Sequence, residues 1–154
     1  MSEFKTGMRD ILPIAMAVLF YAFSFGVAST QLLNWHESFF MSATMFAGSA
    51  QFAVLGLWAA EATLASLVIT VVLINARHLL VGMALYPTLR TAPYWKQGTA
   101  VALLSEANFS LLLRAKQNGT AGTDYFLGSG LAMWVLWMIG TALGVVLGGE
   151  LDPA

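Results

Sequence analysis

Five apolar stretches, each near the length needed to cross a bilayer, dominate this sequence and leave few architectures open. They cover residues 11–33, 38–60, 63–85, 98–113 and 125–147. A helix rising about 1.5 Å per residue needs about 20 apolar residues to traverse roughly 30 Å of hydrocarbon. The fourth stretch is the shortest and the most polar. Inside lipid every backbone N–H and C=O must be bonded within the protein, and the alternation of a β-barrel strand is absent, so the stretches predict α-helices. The expected fold is an all-α integral membrane protein. It forms a single transmembrane domain over residues 1–154, a bundle of about five transmembrane helices.

Composition agrees. The 154 residues are 58% hydrophobic and 10% charged, where soluble domains are about 25% charged. A net charge of −1 gives nucleic acid nothing to bind, and with no cysteine there is no disulfide, thiolate metal site or thiol nucleophile. His36 and His78 are far apart in the chain, so no local metal site or other cofactor is expected. Lys5 and Arg9 precede the first stretch as in a secretory signal. That stretch is longer than the roughly 7–15 apolar residues of such a signal, so it reads as an uncleaved first span.

The connections are short. Residues 34–37 join the first two spans, and Ala60-Glu61-Ala62 is barely a turn, which predicts a tight antiparallel hairpin. Tyr86, Tyr94 and Trp95 flank the loop over 86–97 as an interfacial aromatic belt does. Asn118-Gly119 marks a turn in the polar segment 114–124. With five spans and the N-terminus inside, Lys5, Arg9, Arg114 and Lys116 face the cytoplasm and Arg90 and Lys96 face outward, so the positive-inside rule weakly favours that orientation.

Polar groups at mid-depth carry the functional signal, because charges there are costly and mark substrate or proton paths. Phe46-Ala47-Gly48-Ser49-Ala50-Gln51-Phe52 concentrates small residues and an amide at the centre of the second stretch. It fits close helix packing, or a break near Gly48-Ser49 whose freed backbone meets a substrate. In Asn75-Ala76-Arg77-His78, Asn75 and His78 share a helix face, and a second break is expected there. Arg77 is too deep to reach water by snorkelling and needs an acid or a wet cavity. Glu106 is the one carboxylate well inside a span and the natural partner for Arg77 or His78. Asn108 shares a face with Ser105. Gly140, Gly144 and Gly148 form overlapping G-x-x-x-G pairs, which support close helix contact within the chain, with a partner or in a homo-oligomer.

These residues together resemble the AzlC family of branched-chain amino acid permeases, the larger subunit of two-component exporters. The resemblance rests on Gly7-Met8-Arg9-Asp10 with Leu12-Pro13-Ile14, on Phe46 to Phe52, and on Ile74-Asn75-Ala76-Arg77-His78-Leu79-Leu80 with Gly82-Met83. Glu106, Phe109, Trp137 and Gly140-Thr141 extend it over nearly the whole chain. It implies export of branched-chain or related amino acids across the bacterial cytoplasmic (inner) membrane by a multi-pass protein, coupled to protons, with a small AzlD-type membrane subunit as partner. Family members carry further spans, so the resemblance also implies a short or truncated member. The family's Asp-Glu pair is Ser105-Glu106 here, which removes one of two acids from any carboxylate relay. The substrate-binding candidates are Gln51, Asn75, Arg77, Glu106 and Asn108; the proton-coupling candidates are Glu106 and His78. A subunit that does not transport, and folds only against a partner chain, is the alternative. No H-E-x-x-H, Gly-x-Ser-x-Gly or paired carboxylate suggests an enzyme.

Overall fold

The structure, a computed structural model, describes residues 2–119 and 121–151, and the described residues are helical without any strand. The helices are α1 (Glu3–Ser29), α2 (Trp35–Thr44), α3 (Gly48–Ala59), α4 (Leu64–Asn75), α5 (Arg77–Leu89), α6 (Tyr94–Ala102), α7 (Glu106–Gln117) and α8 (Thr123–Leu151). Three apolar segments among them are long enough to cross a membrane: Glu3–Ser29, Leu64–Leu89 and Thr123–Glu150. The stretches expected as the second and fourth spans instead fold as two short helices each.

Local signals explain the boundaries. Asn34 Oδ1 accepts from the Glu37 amide at 3.0 Å, and Glu37 Oε2 accepts from the Asn34 amide at 2.9 Å, a reciprocal cap that starts α2. Thr63 caps α4 through the Ser66 amide at 3.3 Å. Ser105 starts α7, paired reciprocally with Asn108. The first expected break lies at residues 45–47, just before Gly48, so Gly48 and Ser49 form the first turn of α3. The second is the single non-helical residue Ala76 between α4 and α5. A third, over residues 103–105, was not foreseen from the sequence.

The chain forms two compact units. Unit one holds residues 1–16 and 78–135; unit two holds 17–77 and 136–154. In unit two, α1 and α8 run parallel and very close. A Cβ added at Gly144 would stand 2.2 Å from the Phe23 carbonyl oxygen, and one at Gly140 would stand 2.4 Å from that of Leu19. The glycine pattern is therefore spent on contact within the chain. α2 descends α8: Ser42 meets Thr141 at 2.9 Å, and the Phe46 ring lies 6.2 Å from that of Trp137. α3 then climbs α1: Gly48 abuts Tyr21, while the Phe52 ring is 5.1 Å from that of Tyr21 and 5.8 Å from that of Phe25. α2 and α3 thus run in opposite directions. Gln51 Nε2 reaches Ser42 Oγ at 3.0 Å, across nine residues that would rise about 13 Å in one continuous helix.

Unit one has its own reversal. Lys96, in the first turn of α6, pairs with Asp124 at the start of α8. Lys116, in the last turn of α7, bonds Thr88 at the end of α5. Thr123 Oγ1 donates to the Thr88 carbonyl at 3.0 Å, and the Gly122 amide donates to Glu3 at 3.3 Å. α6 starts and α7 finishes at the same end of the unit, so the chain turns back at residues 103–105. Leu85, Leu89, Leu104, Leu112, Tyr125 and Phe126 form the core beneath.

Candidate functional site

The polar centre of unit two is built around the first reversal. Gln51, in the first turn of α3, is fully buried. Its Nε2 donates to Ser42, whose hydroxyl meets that of Thr141, and both hydroxyls are fully buried too. Gln51 Oε1 is buried without a partner among the described residues, as are Asn75 Oδ1 and Trp137 Nε1. Such groups cost about 1–3 kcal/mol each when unpaired. The Trp137 ring packs edge-on against Tyr21 at 5.9 Å, so this deep tryptophan is a packing residue with an unpaired N–H.

Asn75 ends α4 and Arg77 begins α5, on either side of Ala76. Arg77 Nη2 donates to Ser49 Oγ at 3.0 Å. The guanidinium thus stands beside the N-terminus of α3, at the midpoint of the apolar segment Leu64–Leu89.

In unit one, His78 lies in the first turn of α5 and is half-buried. Glu106 lies in the first turn of α7, where the positive helix end favours a carboxylate. Asn108 is fully buried and engaged in holding the break: its Oδ1 accepts from the Ser105 amide at 3.0 Å and hydroxyl at 3.1 Å, and its Nδ2 donates to the Leu103 carbonyl at 2.8 Å. A Cβ added at Gly130 would stand 2.9 Å from Asn108 Nδ2, so α8 closes over this amide.

A separate cavity of about 470 Å³ in unit one is lined by Arg9, Asp10, Arg114 and Tyr125 among others. Tyr125 donates to Asp10 Oδ2 at 3.1 Å, and Arg9 flanks the other carboxylate oxygen at 3.4 Å. None of these residues, nor Ser42 or Thr141, stands out as a site candidate in the sequence, although Arg9-Asp10 and Gly140-Thr141 belong to the motifs of the resemblance. Hydroxyls are common in membrane helices, and only the chain reversal brings these two together.

Six sequence-predicted residues therefore fall in two groups. Gln51, Asn75 and Arg77 belong to unit two; His78, Glu106 and Asn108 belong to unit one. No cluster of three or more potential metal ligands exists among the described residues.

Comparison with known proteins agrees with the membrane reading. The sequence model of a family described as AzlC protein matches residues 13–151. The chain is 29% identical over 158 residues to the inner membrane protein YgaZ of Escherichia coli K12, covering 97% of this chain and 63% of that one. It is 30% identical over 149 residues to an uncharacterized membrane protein of Archaeoglobus fulgidus, covering 96% and 64%. A Helicobacter pylori membrane protein is 26% identical over 156 residues, covering 97% and 68%. The chain thus spans a little under two thirds of the length of the first of these relatives. No solved structure matches.

Proposed function

From its place in the AzlC family, to which this multi-pass membrane protein belongs, we propose that the chain is a secondary-transporter subunit for amino acids. It exports branched-chain or related amino acids across the cytoplasmic membrane, coupled to protons, together with a small AzlD-type membrane subunit. The observation that carries this reading is the pair of chain reversals, one per unit, each with polar side chains at its turn. Discontinuous helices whose ends stop inside the membrane form the substrate and ion sites of many secondary transporters. They present backbone groups at mid-depth without exposing them to lipid.

The orientation is sharper than the five-span count allowed. Because α6 and α7 turn back, Arg90 and Lys96 share one end of unit one with Lys5, Arg9, Arg114 and Lys116. Six of the seven Lys and Arg residues then lie at that end, and the seventh is Arg77. The positive-inside rule makes that end cytoplasmic.

Arg77, Gln51 and Asn75 serve the substrate in this reading. Glu106 and His78 are the proton carriers. Asn108 supports the second break. The test is counterflow of valine, leucine and methionine in liposomes, with and without the small partner. Glu106→Gln should abolish proton-coupled flux while leaving the protein folded. Full flux in that variant would remove Glu106 from coupling.

One observation favours a second reading, a subunit that is complete only against another chain. The most apolar stretch of Leu64–Leu89 has no buried residue, and Leu64, Leu73, Leu79 and Leu80 are each more than 60% exposed. A protein that is monodisperse in detergent and binds substrate alone would argue against that reading.

A further inference from the structure

Arg9 and Asp10, the charged half of Gly7-Met8-Arg9-Asp10, take no part in either chain reversal. They line the cavity of about 470 Å³ in unit one. It lies between positions 6, 9, 10 and 13 of α1 and positions 111, 114, 115 and 118 of α7 and its C-cap. Each set follows the i, i+3, i+4, i+7 spacing of one helix face. Facing helices normally interdigitate with no void larger than a water molecule. Here two faces flank a groove far larger than one water.

The groove is graded by depth. α1 begins at the end of unit one where α7 finishes. Thr6 and Asn118 therefore stand outermost, Arg9, Asp10 and Arg114 about a turn further in, and Pro13 and Leu111 deepest. Seven residues at 1.5 Å each make the groove about 10 Å long. That length covers a headgroup layer of roughly 5–7 Å and enters the hydrocarbon beneath. The lining thus passes from polar to charged to apolar in the order in which a bilayer leaflet does.

Its charges do not cancel. Two guanidiniums against one carboxylate leave one net positive charge. Both oxygens of Asp10 are engaged: Tyr125 donates to Oδ2 at 3.1 Å, and Arg9 lies 3.4 Å from Oδ1. Tyr125 is buried and closes the floor. Arg9 and Arg114 are exposed, and Arg114 makes no hydrogen bond or ion pair among the described residues. The C-terminal end of α7 accounts for basic residues in its last turn, where Lys116 stands as well. It does not account for the gap beside Arg114. Two guanidinium forks on facing helices suit a phosphate, which each can bind bidentately.

We propose that this groove binds the phosphodiester of a net-anionic phospholipid of the cytoplasmic leaflet. The phosphate lies between Arg9 and Arg114, with Thr6 and Asn118 beside the rest of the headgroup. An acyl chain leaves past Pro13 and Leu111. Basic pockets between transmembrane helices on the cytoplasmic side hold anionic headgroups in this way. A free phosphate would offer the same anion but nothing for the apolar inner end. A lipid in the groove ties the start of α1 to the end of α7 and so stabilises unit one. The inference does not depend on the amino acid transport reading.

The test uses the full chain purified in detergent and titrated with phosphatidylglycerol, phosphatidylcholine or inorganic phosphate. Affinity is read from the shift of the unfolding midpoint. Phosphatidylglycerol should raise the midpoint saturably. Phosphatidylcholine, which has no net charge, should need at least about fivefold more lipid for the same shift. Arg9→Gln and Arg114→Gln should each weaken phosphatidylglycerol binding by about fivefold, the factor one basic residue contributes near an anionic lipid. Arg90→Gln is the control. It removes an exposed cation from the same end but outside the cavity, so affinity should hold. Thr6→Trp narrows the groove without changing its charge and should also weaken the lipid; it keeps the test decisive where an arginine variant does not fold. An equal response to phosphatidylcholine, an equal loss in Arg90→Gln, or full affinity in Arg114→Gln or Thr6→Trp would each overturn the site. Inorganic phosphate that raises the midpoint as far as the lipid, with the same dependence on Arg114, would assign the groove to a soluble anion and sink the lipid. Leucine that displaces phosphatidylglycerol would make the groove a substrate station and sink it too.

Discussion

Replacing Gly144 with alanine tests the parallel α1–α8 contact on which unit two is built. The new Cβ would stand 2.2 Å from the Phe23 carbonyl oxygen, 2.9 Å from Gly26 Cα and 2.9 Å from the Val27 amide nitrogen. Non-bonded heavy atoms need roughly 3.5 Å, so the helices must separate by more than an ångström at this point. All three obstructing atoms are backbone, and none can rotate away. A gap of 0.5–1 Å forfeits about a quarter to a half of the dispersion energy of each contact it opens. It would open contacts at Gly140 and Gly148 as well, because both meet α1. Overpacking of this kind costs about 1–3 kcal/mol, against which better helix propensity returns under about 1 kcal/mol. A net loss near 2 kcal/mol is expected, read as a lower unfolding midpoint in a denaturing-detergent titration. Gly149→Ala is the internal control, since nothing lies within 4 Å of its added Cβ; it should be neutral or slightly stabilising. If Gly144→Ala unfolds with Gly149→Ala, the helices do not meet at these glycines and the packing argument fails.

Three other outcomes follow from the same structure. Thr141→Val should cost about 1–3 kcal/mol by leaving the buried Ser42 hydroxyl short of a partner, and a double-mutant cycle with Ser42→Ala should show coupling; strict additivity would mean the pair does not interact. Asn108→Ala should cost at least about 1–2 kcal/mol, because it removes the Oδ1 acceptor of the Ser105 amide, the returning half of the α7 capping box, and the bond to the Leu103 carbonyl; an unchanged midpoint would mean that the second reversal is held by packing alone. Lys96→Ala should change stability by under about 1 kcal/mol despite its pairing with Asp124, whose side chain is 48% exposed, since partly exposed ion pairs contribute little; a larger loss would show that this pair closes the end of unit one.

Much of this protein can be read without its fold. Charge scarcity and apolar length dictate helices in a membrane, because lipid offers backbone groups no other partner. The mid-depth residues stand out for the same reason: Gln51, Arg77 and Glu106 are expensive where they are, so each has to be satisfied or used. The break at Ala76 was foreseen from Asn75-Ala76-Arg77-His78, and the one at 45–47 to within a few residues from the small residues around Gly48. The start of α7 was less visible, because Ser105 and Asn108 read equally well as one helix face or as a cap and its third residue.

Direction of travel was not legible. Two short helices that turn back on each other have the apolar length of one crossing, so hydropathy cannot separate a span from a hairpin. The tertiary contacts that reverse α2 and α3, Ser42 with Thr141 and Phe52 with Tyr21 and Phe25, join residues 27 to 99 apart in sequence. Those that return α7 to the start of α6 join Lys96 to Asp124 and Lys116 to Thr88. Sequence alone determined that this is a helical membrane protein with costly polar groups at its centre, since solvation by lipid acts on each segment separately. Only the tertiary structure decided that three segments are long enough to cross, that the other two stretches reverse, and that Arg77 stands beside the start of α3. Those outcomes depend on which surfaces meet, and surfaces distant in the chain have no local signature.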